Sequence, residues 1–198
     1  VVSSSAVYGA PLDDALLTEE STLRPVTHYG ASKVAQEVVA LRAFHASQLP
    51  VMVLRPFNIV GPGQPASLAA GAFAEQIAKA EVSVERVMRV GNLAGARDFV
   101  DVRDVAAACL VVARSGQPGA TYNVSSERLV TLQACVDTLL SFAKVPIDVR
   151  TDASRVQAND ARAQVGSAAR LKRDTGWSPT RTFEQSMHDL LRSWREAG

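Results

Sequence analysis

Residues 29–58 read YGASKVAQEVVALRAFHASQLPVMVLRPFN, and the order of patterns in this stretch decides the fold. From Tyr29 to about Gln48 the spacing predicts a helix: Val34, Val38 and Leu41 recur at helical intervals, with Lys33, Gln36 and Glu37 on other faces. Residues 50–58 follow as a continuous apolar run of strand length, ended by Pro56. A run of that kind suits a parallel strand covered on both faces. Helix, short loop and buried strand in succession are the rhythm of a doubly wound α/β sheet.

Working outward, VVSSS (1–5) reads as the end of a buried strand entering a small-residue turn, and residues 10–27 are loop-like. Downstream, GPGQPAS (61–67) is a tight Gly/Pro loop, residues 68–80 read as a helix, and VMRVGN (87–92) as a short strand. FVDVRDVAAACLVVARSG (99–116) leads into a helix with Asp101 or Asp104 near its N-terminus and Gly116 past its end. ATYNVSS (120–126) is a further strand, 131–144 a helix, and PIDVRTD (146–152) a short strand. The last helix opens with a capping box, Thr182 and Gln185, and carries Phe183, Met187, Leu190, Leu191 and Trp194 on an apolar face.

Composition excludes several classes of function. The 198 residues are 47% hydrophobic and 21% charged, and 21 basic side chains against 20 acidic ones leave a net charge of +1. There is no strong field to recruit nucleic acid or an anionic membrane. Cys109 and Cys135 both sit in apolar helical runs without metal-ligand or redox-motif spacing, so they read as buried free thiols and no metal site is expected. No apolar run approaches the ~20 residues of a membrane span, and the first residues lack the pattern of a signal peptide. The reading is a cytoplasmic protein.

The chemistry-bearing pattern is PVTHYGASK (25–33). Tyr29 and Lys33 lie one helical turn apart on one face. An ammonium beside a phenol favours the ionised form and readies the phenol for proton exchange with a carbonyl or alcohol oxygen. A Tyr and a Lys at this spacing also occur in ordinary helices, so context has to decide. The small residues between them let a cofactor approach. Ser3, Ser4 and Ser5 stand at a strand end, where open α/β sheets bind ligands, although serines there also serve simply as turn formers.

Four segments in order, SSSAVYG (3–9), YGASK (29–33), LRPFNIVGPGQ (54–64) and RDFVDVRDVA (97–106), together resemble the extended short-chain dehydrogenase/reductase family, the nucleotide-sugar epimerase/dehydratase/reductase group. The resemblance runs from residue 1 to about 195. It implies the C-terminal part of a Rossmann-type doubly wound parallel sheet plus a smaller mixed α/β substrate-binding lobe. Residues 1–60 would be the C-terminal half of the nucleotide-binding domain, and 61–198 mainly the lobe, with some segments returning to the sheet.

Carried over by position, the resemblance makes Tyr29 the catalytic acid/base and Lys33 its activating cation and ribose ligand. Ser4, four residues before Tyr8, completes the triad, with Ser5 as the alternative and a substrate contact. Pro56 and Phe57 would border the nicotinamide of NADP or NAD. Asn58 would touch substrate, and Arg97 would bind its diphosphate by bidentate pairing. Arg155 and Asp160 keep two positions of a late substrate-binding segment, in which Gln157 and Ala158 depart from the usual Arg and Pro. Ser167 stands where the family often has Asp, and His28 where it usually has Pro. We read His28 as a tolerated loop residue, with tuning of Tyr29 the alternative, and His45 and His188 as structural.

The residues look most like members that reduce a GDP-linked 4-keto-6-deoxymannose to a GDP-6-deoxyhexose. A dehydratase needs a glutamate beside the triad hydroxyl, and Ser5, Ala6 and Val7 follow Ser4. The alternatives are 4-epimerisation or 4,6-dehydration, or a non-catalytic nucleotide-sugar-binding module. The family's Gly-rich dinucleotide turn does not occur in the sequence, and the chain opens without methionine. The expectation is therefore a C-terminal piece of a longer enzyme, a homodimer when full length, that binds dinucleotide poorly in isolation.

Overall fold

The computed structural model describes residues 1–10, 16–152, 154 and 163–197, and divides the chain into two units. Unit 1 comprises Val1–Ile59, Asp98–Leu129 and Arg162–Thr180, and unit 2 comprises Val60–Arg97, Val130–Ala161 and Arg181–Gly198. The class is α/β with parallel pairing, as the helix–strand rhythm predicts.

In unit 1, strand β1 (Val53–Pro56) is buried at all four positions and pairs in parallel with β5 (Thr121–Val124), Leu54 opposite Tyr122. Val2 forms a parallel bridge to Leu54 on the other side, so residues 1–3 lie along β1. There Ser3 N donates to Leu54 O at 2.7 Å and Leu54 N to Val1 O at 2.9 Å. Helix α1 (His28–Ser47) leads into this sheet, and Gln48 closes it in the left-handed region. Helix α3 (Val102–Ser115) starts at Asp101, whose carboxylate accepts from Arg103 N. Asp104, the other acidic residue near that terminus, is buried and accepts from Thr180 N and Oγ1. The core gathers Leu54, Val100, Val105, Val112, Tyr122 and Trp177. A short helix, α5 (Ala169–Thr175), contributes Leu171 to it.

In unit 2, helices α2 (Ala69–Val82), α4 (Leu132–Ser141) and α6 (Phe183–Ala197) pack together. Phe73, Ile77, Leu139, Met187, Leu190 and Leu191 are buried. Strand β3 (Val87–Val90) pairs in parallel with β7 (Asp148–Thr151). The capping box forms: Thr182 N donates to Gln185 Oε1 at 3.0 Å and Gln185 N to Thr182 Oγ1 at 3.2 Å. The remaining strands among the described residues are β2 (Asn58–Val60), β4 (Ala96–Asp101) and β6 (Leu129–Thr131).

Two sequence expectations are corrected. On α1 the apolar residues do not define the inner face: Val38 and Val39 are 63% and 68% exposed, while Glu37 is 3% exposed. The reason is electrostatic. Arg55, inside the otherwise apolar strand β1, takes Glu37 as its buried partner. The cysteines also differ from each other. Cys135 is buried and its burial pushes the thiol up to about 12, whereas Cys109 is only half-buried.

Candidate active site

The start of α1 is fixed by local chemistry. Thr27 caps the helix, its Oγ1 accepting from Gly30 N at 3.0 Å, so Tyr29 falls in the first turn. Gly30 is the point at which the helix meets a short 3-10 turn, Ser5–Val7. A Cβ atom at residue 30 would lie 2.6 Å from Ala6 O and 3.1 Å from Pro25 Cβ. The absence of a side chain is what allows the phenol-bearing turn to approach the serine turn.

Tyr29 is 55% exposed. Lys33 Nζ lies 5.7 Å from its ring centroid and donates to Val2 O at 3.1 Å and to Gln36 Oε1 at 3.0 Å. Two of the three ammonium N–H groups are thus engaged among the described residues. Ser4 caps the 3-10 turn, its Oγ accepting from Ala6 N at 3.2 Å, and Ser5 is buried. The structure gathers Ser4, Ser5, Tyr29 and Lys33 at the end of the strand-like segment 1–3.

At the end of β1, Pro56 and Phe57 are buried. The Phe57 ring stacks 6.4 Å from Tyr8, and a Cβ at Gly166 would come within 2.3 Å of it. Asn58 Nδ2 donates to Asp98 O at 3.2 Å. Asp98 has no exposed surface; its Oδ1 accepts from Ser126 N and Oγ, and its Oδ2 from Gly166 N. Burial pushes this carboxyl above its ordinary range in spite of those donors.

Behind these residues lies a buried polar network of which the sequence reading singled out only Ser3, as one of the strand-end serines. Arg55 Nε and NH2 donate to Glu37 Oε1 and Oε2 at 2.9 and 2.7 Å, a bidentate pair. Ser3 Oγ donates to Glu37 Oε1 at 2.5 Å. Arg55 NH1 donates to Tyr8 Oη at 2.9 Å, and Tyr8 Oη donates to Asn123 Oδ1 at 2.6 Å. Removing one member of such a pair costs about 3–5 kcal/mol, because the remaining charge is stranded in the interior. The legible signal is Arg55 itself, a charge within an apolar strand.

Unit 2 contains a cavity of about 430 Å3 whose lining includes Arg89, Asn92, Arg97, Leu132 and Ser154. Arg97 NH1 donates to Ala96 O at 2.8 Å. Arg97 therefore belongs to this cavity, while the Tyr29 group belongs to unit 1. Arg155 and Asp160, with Gln157 and Ala158, lie outside the described residues. His28 is exposed at the first position of α1, next to Tyr29. His45 packs edge-on against Phe44, and His188 against Phe142 while 3.4 Å from Asp189. Among the described residues no group of three His, Cys, Asp or Glu could hold a metal ion. No described helix is long and apolar enough to cross a membrane.

The parallel α/β class, with a Tyr and a Lys one turn apart at a strand end, agrees with the family that the motifs resemble. The family model for GDP-mannose 4,6 dehydratase matches residues 1–190, and the chain belongs to that family. It is 35% identical to the GDP-6-deoxy-D-mannose reductase of Pseudomonas aeruginosa over 195 residues, 98% of this chain and 64% of that protein. The solved structure of RMD from Pseudomonas aeruginosa complexed with NADPH superposes with a TM-score of 0.92 at 34% identity, covering 100% of this chain and 66% of that one. The dTDP-glucose 4,6-dehydratase of Bacillus anthracis in complex with NAD follows at 0.82 and 28%, covering 99% and 60%. The chain spans just under two thirds of the length of these relatives.

Proposed function

We propose that the protein is an NAD(P)-dependent reductase of a nucleotide-diphosphate 4-keto-6-deoxy sugar, converting GDP-4-keto-6-deoxymannose to a GDP-6-deoxyhexose. The observation that carries this reading is the Tyr29–Lys33 pair at the strand end, Tyr29 exposed and Lys33 partly buried, with Gly30 between them packed against the turn that Ser4 caps. The 35% identity to a GDP-6-deoxy-D-mannose reductase supports the choice of sugar nucleotide.

The residues fit a nicotinamide dinucleotide. Tyr29 offers an exposed hydroxyl, Lys33 a further N–H, and the intervening Gly30, Ala31 and Ser32 are small. Lys33 and Tyr29 would hold the ribose, with Pro56 and Phe57 bordering the ring. When bound in its reduced form, NADPH or NADH, the cofactor would supply the hydride. Tyr29 gives its proton to the C4 oxygen as that oxygen gains charge, and Ser4 Oγ donates a hydrogen bond to the same atom. Asn58 orients the sugar through its amide, and Ser5, buried beside Ser4, is the alternative hydroxyl and substrate contact.

Arg97 is the diphosphate ligand in this reading. A guanidinium pairs bidentately with phosphate oxygens, and the cavity beside it falls in the range of small-molecule sites. Arg155 and Asp160 are the further substrate-binding residues that the resemblance implies. The same reading carries a cytoplasmic homodimer, supported by the exposed Val38 and Val39 on α1, with light scattering as its check.

The test is to incubate the natural full-length protein with NADPH and GDP-4-keto-6-deoxymannose. Consumption of NADPH is expected; turnover only with UDP or dTDP sugars would refute the GDP assignment. A second reading, 4-epimerisation or 4,6-dehydration, draws support from the dehydratase structure at 28% identity. Tightly retained NAD with no net consumption of NADPH would favour it.

A further inference from the structure

The geometry points to Glu37 as a positioning residue, which sets where Ser4 stands relative to Tyr29 by holding Ser3. The inference rests on the acid/base reading above and names the part of the molecule that gives that chemistry its alignment.

Three contacts tie residues 2–6 to α1, one at each of three successive helical turns. Gly30 lies against Ala6 O, Lys33 Nζ donates to Val2 O, and Glu37 Oε1 accepts from Ser3 Oγ. Ser4 lies between two pinned residues, Ser3 and Ala6, so its hydroxyl has little latitude. Of the three, the Glu37 contact is the one made to a side chain that is itself held in place. Arg55 fixes both oxygens from the strand side at 2.7 and 2.9 Å, and both partners are nearly without exposed surface.

An apolar pair at positions 37 and 55 would hold helix to strand at least as firmly, because buried ion pairs give back in desolvation much of what they gain in attraction. What the ion pair adds is direction. A bidentate pair is made in one geometry, whereas apolar surfaces tolerate sliding. Alignment of this kind matters for proton transfer, since the groups must stand within hydrogen-bond reach, and a displacement of 1 Å costs on the order of a hundredfold in rate.

The test is a double-mutant cycle in the natural full-length protein with NADPH and the GDP-keto sugar, using Ser3→Ala, Ser4→Ala and the double variant. Ser3→Ala removes the link while keeping the buried Glu37–Arg55 pair, which a Glu37 variant would break. Ser3→Ala is expected to lower kcat about tenfold with KM unchanged within about twofold. In the Ser4→Ala background the same change should cost less than about twofold, because groups that act through one another are not additive. An equal loss in both backgrounds, or no loss in either, overturns the positioning role while leaving the reductase reading intact. An unmutated protein without activity on any nucleotide sugar refutes the function itself, and the inference with it.

Discussion

Gly30 of α1 and the carbonyl oxygen of Ala6 are in direct apposition: a Cβ atom on residue 30 would lie 2.6 Å from that oxygen. The obstacle is backbone, so no rotamer change relieves it. Gly30→Ala should destabilise the protein by about 1–3 kcal/mol through overpacking, lowering Tm by several degrees in calorimetry. It should also reduce turnover, since Tyr29 moves with the helix start. An unchanged Tm would show that the turn yields.

Tyr29→Phe separates chemistry from fold. The side chain is more than half exposed, so Tm should hold within about a degree, the usual behaviour of exposed positions. Loss of the proton donor should lower kcat about 10²–10⁴-fold, read as the rate of NADPH oxidation by the full-length protein. A small kcat effect would remove Tyr29 from the acid/base role.

Arg97→Lys keeps the charge and loses the fork. Binding of GDP, followed by calorimetry, should weaken about tenfold, equivalent to about 1.4 kcal/mol. The rate at saturating sugar nucleotide should be nearly unchanged. Equal affinity in the two proteins would place the diphosphate elsewhere.

The Glu81–Arg195 pair of unit 2 predicts a pH dependence. Arg195 donates to Glu81 Oε2 at 2.9 Å and to Oε1 at 2.6 Å, and Lys144 N donates to Oε1 at 2.9 Å. The Arg195 hydrogen bonds, outweighing burial, hold the Glu81 carboxyl below its ordinary value of 4.5. A carboxyl depressed in the folded state contributes stability above its unfolded value and loses it as pH falls through its folded value. Glu81→Gln should therefore lower stability by about 2 kcal/mol near neutrality. The gap in Tm between the two proteins should shrink as pH falls below 4.5. A gap that is constant down to acid pH would show that the charge contributes nothing.

The parts of the molecule legible in the sequence were those written in local chemistry. The capping box at Thr182 and Gln185, the apolar stripe of α6, and the succession from α1 to β1 each follow from residues a few positions apart. Strands β4 and β6 and helix α5 were not read, because pairing and docking decide them rather than local pattern. Helix α5 buries only Leu171, too little to give a period. The inner face of α1 was misjudged for a related reason: hydropathy ranks Val38 above Glu37, and only the distant Arg55 reverses the order. Tyr29, Lys33 and Ser4 are singled out by motifs and Ser3 by its place among the strand-end serines, whereas Glu37 and Arg55, and the link from Ser3 to them, became visible only once the fold brought them together. The unit 2 cavity draws its walls from separate stretches and could not be seen as a cavity in one dimension.

The way that cavity is assembled bears on how such proteins diversify. All but two of its lining residues fall between Ala66 and Arg97, whereas the surroundings of Tyr29 come from residues 2–6 and 25–37. Mutation, insertion or recombination confined to the first stretch can reshape the cavity without touching the second. Variation confined to residues 66–97, in a lineage or in a laboratory library, therefore alters the cavity wall while leaving Tyr29 and its neighbours unchanged.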